Sequence, residues 1–94
     1  MNKAQLIAAV AQKSGLSTED AGKALAAFTE SVEEALVLGE RVQIPGFGTF
    51  EAVRRPERDG RNPATGETIR IAESWSPKFK PGRALKAALK ESRQ

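Results

Sequence analysis

The stretch RRPERDGRNPATGET, residues 54–68, decides the fold that this sequence predicts. It holds four arginines, two prolines and two glycines, and almost nothing that could enter a core. Its only dense cluster of turn residues is Asn62–Gly66, which predicts the tip of a β-hairpin. The outgoing strand runs on from Phe50, and residues 68–72 alternate and return. Because two strands with so little apolar content are not stable alone in water, we expect a mobile arm that projects into solvent.

Two amphipathic helices are predicted before this arm. Asn2 and Gln5 have the spacing of a capping box, which predicts a helix over residues 3–14. Ser17 can cap a second helix, whose apolar stripe continues until Gly39 ends it. The two helices and their short link indicate a helical hairpin.

The hydrophobic period changes after the second helix. Residues 42–44 alternate as a strand does, and Gly48 within the next strand suggests either a bulge or a close backbone approach. The returning segment is predicted to be interrupted at Pro77 before Phe79 rejoins the core. A final helix is predicted over about residues 83–91.

Composition limits the class of protein. A chain of 94 residues with 39% hydrophobic residues is one small domain with a thin core, which favours an oligomer. Cysteine and histidine are absent, so we expect no disulfide, no metal site and no cofactor. We expect a soluble cytoplasmic protein without membrane association, since no apolar run approaches about 18 residues and no signal sequence opens the chain.

Charge is distributed unevenly along the chain. Residues 1–45 carry four basic and six acidic side chains, whereas residues 46–94 carry eleven basic and six acidic ones. The arm's outgoing strand uses only arginine, which suits phosphates and narrow minor grooves better than lysine does. The final helix places basic side chains on one face. These features suggest a polyanionic partner, although dense charge also protects an exposed strand edge from aggregation.

Three motifs carry a family resemblance. They are GFGTFE at residues 46–51, GRNPATGE at residues 60–67 and PKFKPGRALK at residues 77–86. Together they resemble the HU/IHF family of bacterial architectural DNA-binding proteins, most closely HU. The resemblance implies an α+β fold: a helical hairpin base, a three-stranded antiparallel sheet, a long protruding β-ribbon arm and a short C-terminal helix, in an intertwined dimer.

The same resemblance implies a division of this single domain, 1–94, into parts. Residues 1–45 would form the dimerisation base, residues 46–79 the sheet and DNA-binding arm with its tip near 62–66, and residues 80–94 the C-terminal helix. A homodimer is the simplest assembly. Its shared core would include Phe47, Phe50 and Phe79.

The resemblance also implies a mechanism. Pro63 would be an intercalating wedge that unstacks a base step and kinks double-stranded DNA from the minor groove. The protein would bind with little sequence specificity in the bacterial nucleoid, bend and compact DNA, and prefer nicked or distorted duplexes. A sequence-preferring, IHF-like bender is the alternative within the family. The implied DNA-binding residues are Arg54, Arg55, Arg58, Arg61, Asn62, Pro63, Arg70, Lys80, Arg83 and Lys86.

The chain departs from the family pattern within the arm. Pro56 and Glu57 stand where small alanines are common, and Asp59 adds a second acid. We expect Pro56 to lie on an edge strand, where proline is tolerated. Because the acids reduce the arm's charge, we expect weaker binding at physiological salt than for a more basic member. Trp75 is also unusual, and it could pack under the base of the arm or face DNA.

Two other classes of function remain open from the residues alone. An enzyme would have to work without His, Cys or Tyr, and no phosphate-binding glycine pattern occurs. A protein-interaction module could use the arm to extend a partner's sheet. Structured RNA is a further candidate ligand, because it also presents phosphates.

Overall fold

The computed structural model describes residues 1–92 and confirms the α+β class. Two helices precede five strands, and a third helix follows them. The elements are α1 (Lys3–Ser14), α2 (Thr18–Val37), β1 (Val42–Ile44), β2 (Gly48–Arg55), β3 (Arg58–Arg61), β4 (Thr68–Ile71), β5 (Ser74–Pro81) and α3 (Arg83–Ser92). The chain divides into two compact units, of which the first is Met1–Glu34 and the second begins at Ala35.

Side-chain caps fix the helix starts in the first unit. Asn2 Oδ1 accepts from the Gln5 N–H at 2.9 Å, and the Asn2 N–H donates to Gln5 Oε1 at 2.8 Å, so the predicted capping box is confirmed. Ser17 Oγ accepts from the Asp20 N–H at 3.0 Å, which confirms the second predicted cap. The predicted helix over residues 3–14 matches α1.

The first unit buries little apolar surface. Ala21 is the only fully buried hydrophobic residue among residues 1–92, and Ile7 packs beside Gly22. Leu6 and Phe28 remain exposed although both are large and apolar. A chain of this size normally encloses more, so these helices present apolar surface that a single copy does not cover.

The second unit contains a three-stranded antiparallel sheet in the order β1-β2-β5. Pro77 lies inside β5 and pairs with Ala52, so the prediction that Pro77 interrupts the returning segment is wrong. Proline is tolerated there because β5 is an edge strand, where one side of the backbone needs no partner. The prediction for Pro56 is wrong in the opposite sense. The sequence predicts Pro56 on an edge strand, but the residue lies in a break between β2 and β3, where the missing N–H removes no ladder bond.

An aromatic cluster covers one face of this sheet. The Phe79 ring lies 5.4 Å from the Phe47 ring and 4.9 Å from the Phe50 ring, measured between centroids. A Cβ at Gly48 would lie 2.5 Å from the Phe79 ring and 2.7 Å from the Lys80 carbonyl oxygen, so the predicted close approach is confirmed. The residues expected to share a core are therefore in contact, although Phe47 and Phe79 remain partly exposed.

The arm is a separate two-stranded ribbon of β3 and β4. Its four antiparallel pairs run from Arg58 opposite Ile71 to Arg61 opposite Thr68. The predicted hairpin tip is confirmed, since the turn lies between these strands. The ribbon therefore extends the sheet's two longest strands beyond the aromatic cluster.

Candidate nucleic-acid interface

The tip of the arm is organised by Asn62. Its N–H donates to the Glu67 carbonyl at 2.8 Å, and its carbonyl accepts from the Gly66 N–H at 2.7 Å. Its Oδ1 accepts from the Ala64 N–H at 2.9 Å, the arrangement in which an asparagine side chain closes a turn. Gly66 has a φ of 75°, which favours glycine. Pro63, which follows Asn62 in this turn, is exposed.

The arm continues the register of the sheet. Arg55 pairs with Ser74 and Arg58 pairs with Ile71, so two residues on each strand intervene without a shift. Because side chains alternate along a strand, each face can be followed from the sheet to the tip. The apolar face carries Phe50, Ala52, Arg54, Arg58 and Gly60 with Phe79, Trp75, Ile71 and Ile69. The polar face carries Glu51, Arg55, Glu57, Asp59 and Arg61 with Lys80, Lys78 and Arg70.

On the polar face, Arg70 bridges two carboxylates of the opposite strand. Its Nε donates to Glu57 Oε1, and its Nη1 donates to Asp59 Oδ1 at 3.0 Å. Asp59 is its direct cross-strand partner, and Glu57 is diagonal to it. These hydrogen bonds, with Glu57 contributing most, raise the pKa of Arg70. Arg70 is thus fully charged, and its charge is compensated within the arm.

Arg54 is held in a similar way on the apolar face. Its Nε donates to Glu73 Oε1 at 2.9 Å, and its Nη2 donates to Glu73 Oε2 at 3.2 Å. This two-point hydrogen bond raises the pKa of Arg54. The pair lies where the sheet passes into the arm, so it links both strands beside the break.

A third cation is paired on the sheet. Lys80 Nζ lies 2.9 Å from Glu51 Oε1, whose side chain is only 15% exposed. The hydrogen bond from Lys80 lowers the pKa of Glu51, with smaller contributions from the charges of Arg41 and Lys78. The carboxylate is therefore ionised at neutral pH, and it shares the Lys80 charge.

The remaining predicted cations have no ion pair within residues 1–92. Three of them, Arg55, Arg58 and Arg61, lie along the outgoing strand, and their side chains are exposed. Arg83 and Lys86 lie on α3, one turn apart and also exposed. The structure thus divides the predicted cations into a paired set (Arg54, Arg70 and Lys80) and an unpaired set of these five.

Sequence analysis missed the close contact that shapes the apolar face of the arm. A Cβ at Gly60 would lie 2.6 Å from Ile71 Cδ1 and 3.8 Å from Ile69 Cγ1. The two isoleucines therefore fold over a position that carries no side chain. Counting back from the turn would have revealed this, because the tip places Gly60 opposite Ile69. The same count places Arg70 opposite Asp59.

Trp75 lies at the base of the arm, opposite Arg54. It lines an apolar recess with Ala52 and the residues that end α2 and follow it, Leu36–Gly39. Trp75 is 66% exposed, and Val37 and Leu38 are also largely exposed. The indole therefore lies largely exposed at the base of the arm.

Two further observations concern membrane spans and metal ligands. Within residues 1–92, no helix combines the length and the hydropathy needed to cross a bilayer. The same residues contain no cluster of three or more His, Cys, Asp or Glu side chains that could hold a metal ion.

Comparison with known proteins agrees with this geometry. The family model described as "Bacterial DNA-binding protein" matches residues 1–90. DNA-binding protein HU of Geobacillus stearothermophilus is 56% identical over 90 residues, which are 96% of this chain and 100% of that protein. The chain belongs to the HU family of bacterial DNA-binding proteins. HU proteins are not enzymes, so the open alternative of an enzyme is excluded.

Solved HU structures share the fold. The HU of Anabaena, in a cocrystal structure with DNA, has a TM-score of 0.90 at 37% identity, over 95% of this chain and 97% of that one. The HU of Thermotoga maritima has a TM-score of 0.66 at 38% identity, over 95% and 98% of the two chains. These matches confirm the HU-like arrangement of helices, antiparallel strands and extended β-arm.

Proposed function

We propose that this HU-family protein is an architectural protein that binds double-stranded DNA with little sequence specificity. Its arms enter the minor groove, bend and compact the duplex, and select DNA that is already nicked or distorted. The single observation that carries this proposal is the arm itself: an exposed ribbon with three unpaired arginines that ends in an exposed proline. Protection of an exposed strand edge requires charge, but it requires neither arginine in place of lysine nor a proline at the tip.

The unpaired arginines supply the electrostatic part of binding. Arg55, Arg58 and Arg61 are spread along one strand and face both sides of the ribbon, as contact with both walls of a groove requires. Each phosphate that they neutralise releases condensed counterions, which favours binding at low salt. Minor-groove base edges offer a degenerate pattern, so this mode of contact gives little sequence selectivity.

Pro63 supplies the side chain that deforms the DNA duplex. Asn62 fixes the turn through its own hydrogen bonds, so the proline ring is presented at the end of a closed tip. A rigid apolar ring in that position can enter an unstacked base step and kink the duplex. Unstacking costs a few kcal/mol per step, and a nick lowers that cost because the step is already weakened.

The other predicted DNA contacts differ in whether a carboxylate of the protein already pairs with them. Arg83 and Lys86 on α3 would bind the DNA backbone beside the sheet. Lys80 would join them, although Glu51 shares its charge. Arg54 is held by the Glu73 carboxylate, and its contribution would be smaller. Arg70, which the family resemblance implies as a contact, is held by two carboxylates and would make no direct contact with DNA.

We further propose a homodimer in the bacterial cytoplasm, associated with the nucleoid. Only Ala21 is fully buried among the hydrophobic residues of the described chain, and the Phe47, Phe50 and Phe79 cluster is open on one side. A second copy would cover such surfaces. The proposed division remains residues 1–45 as mainly helical dimerisation base, 46–79 as sheet and DNA-binding arm, and 80–94 as C-terminal helix. In the structure β5 continues to Pro81 and α3 begins at Arg83, and residues 93–94 lie outside the described residues.

A competition titration tests the architectural role. An intact fluorescent duplex of about 30 base pairs competes with the same duplex carrying a central nick, at about 50 and 200 mM salt. We expect a preference for nicked DNA on the order of tenfold, because one weakened step saves more than 1 kcal/mol of unstacking. The Pro63→Ala variant should lose most of this preference, whereas Pro56→Ala, a proline of the same arm but away from the tip, should keep it.

Other outcomes would separate the alternatives. Equal affinity for nicked and intact duplex, with a steep salt slope, would leave a protein that coats phosphates without a wedge. Little dependence on salt would favour a protein-interaction module. A structured RNA competitor of matched length shows whether the arm also accepts RNA, and a strong preference for one DNA sequence would indicate an IHF-like bender.

A further inference from the structure

The middle of the polar face is locally acidic. Glu57 and Asp59 lie two residues apart on the outgoing strand, and both face Arg70 on the returning strand. Two carboxylates meet one guanidinium there, so the local charge is negative. Arg55 lies on the side of the sheet and Arg61 on the side of the tip, and neither has an ion pair among residues 1–92. The face is therefore basic at its two ends only.

Two of the five N–H donors of Arg70 are already in use. Its Nε is held by Glu57 and its Nη1 by Asp59, the latter at 3.0 Å. Hydrogen bonds between ionised partners are among the strong ones in proteins. A phosphate that approached the remaining donors of Arg70 would come close to both carboxylates. Like charges at such short range oppose that approach.

We propose that Glu57 and Asp59 are positioning residues that keep Arg70 out of the DNA contact. The polar face then binds phosphates near the sheet through Arg55 and near the tip through Arg61, and it binds none between these two positions. This inference rests on the proposed DNA-binding function. It removes Arg70 from the set of direct contacts and makes the two acids determinants of affinity.

A thermodynamic cycle tests the inference. The salt dependence of DNA affinity is measured for wild type, Arg70→Gln, Glu57→Gln/Asp59→Asn, and the triple variant that combines all three changes. Glu67→Gln is the matched control, because it removes an acid of the same arm that forms no ion pair in the described chain. Thermal unfolding of each variant checks that the fold is retained.

The double variant should bind on the order of tenfold tighter at about 50 mM salt, with a slope steeper by about 0.9, since it frees one cation. The triple variant should lose that added slope. Arg70→Gln alone should leave the wild-type slope unchanged, and so should Glu67→Gln. A lower slope for Arg70→Gln in the wild-type background would overturn the inference, because Arg70 would then contact DNA despite its acids. A double variant no steeper than the Glu67→Gln control would overturn it as well.

The same measurements distinguish a failure of the proposed function from a failure of this inference. If wild type itself shows little salt dependence, the DNA-binding role of the arm is refuted. If wild type shows a steep slope and the cycle shows no coupling between Arg70 and the two acids, only this inference is refuted. The slope is a suitable measure because a loss of stability lowers the folded fraction without adding or removing phosphate contacts.

Discussion

The sheet of β1, β2 and β5 and the arm of β3 and β4 share one continuous register in the second unit but are held together differently. Around β1, β2 and β5, three phenylalanine rings pack together and the Phe79 ring lies against Gly48, so the sheet depends on packing. Beyond Pro56, the ribbon has a four-pair ladder, two isoleucines over Gly60 and two carboxylate–arginine contacts, and a third such contact lies beside the break. The arm therefore depends far more on charge. The region that we propose to contact DNA is thus stabilised by groups that a polyanion and salt can reach.

The largest expected effect comes from adding one methyl group to the sheet. Gly48→Ala places a Cβ 2.5 Å from the Phe79 ring and 2.7 Å from the Lys80 carbonyl oxygen, and the backbone atom cannot move aside cheaply. We expect a loss of about 3 kcal/mol in the free energy of unfolding. Chemical denaturation at fixed protein concentration measures it. An unchanged denaturation midpoint would contradict the close packing described for this cluster.

The same substitution in the arm should cost much less. At Gly60 the atom nearest to a new Cβ is Ile71 Cδ1, the far end of a flexible side chain that can rotate away. Gly60→Ala should therefore lower the free energy of unfolding by less than about 1 kcal/mol. Hydrogen exchange should accelerate at the ladder amides of β3 and β4 and stay unchanged in β2 beside the aromatic cluster. Equal acceleration in both regions would mean that arm and sheet open together.

Salt should also separate the two regions. Exposed ion pairs are screened at high ionic strength, whereas apolar packing is not. Raising salt from about 0.05 to 0.5 M should accelerate exchange at the arm amides near Arg70 by a few-fold, through weaker pairing with Glu57 and Asp59. The sheet amides serve as the internal control. Salt-independent exchange in the arm would show that the ladder and the isoleucines hold it alone.

The smallest effect concerns Glu51, the half-buried acid of the sheet. Lys80 lowers its pKa in the folded protein, so the pair stabilises the fold fully above the ordinary glutamate pKa of about 4.3. That contribution is lost as the pH falls below this value through the lowered folded-state pKa. Wild type should thus exceed Glu51→Gln in unfolding midpoint at pH 7, and the difference should shrink toward pH 3. A difference that does not vary with pH would assign the effect of Glu51 to packing.

The sequence predicted the parts of the molecule whose causes are local. The Asn2 capping box, the Ser17 cap and the tip turn each depend on side chains within a few residues of the backbone that they bond. The hairpin arm followed because Asn62–Gly66 is the only dense turn signal in its region. The aromatic cluster came from the family resemblance, and the structure shows its three rings in contact.

The errors and omissions depended on cross-strand geometry. Whether Pro77 ends a strand is decided by which edge of the sheet it occupies, and nothing near it in sequence reports that. The pairing of Arg54 with Glu73 and of Arg70 with Glu57 depends on the register across the turn. Charges counted along the sequence therefore overstated the free basic charge of the arm, because Arg54 and Arg70 are held by carboxylates.

The unshifted register through the break at Pro56 and Glu57 limits how arms of this kind can change length. One residue added to a single strand would misalign the ladder beyond it. One added to each strand at the break would restore pairing but turn the arm over relative to the sheet, so that Gly60 and its two isoleucines would continue the polar face. Only steps of two residues per strand, about 7 Å, preserve both pairing and faces. The reach along DNA that we propose for the arm would therefore change only in discrete increments, each the length of about two base pairs.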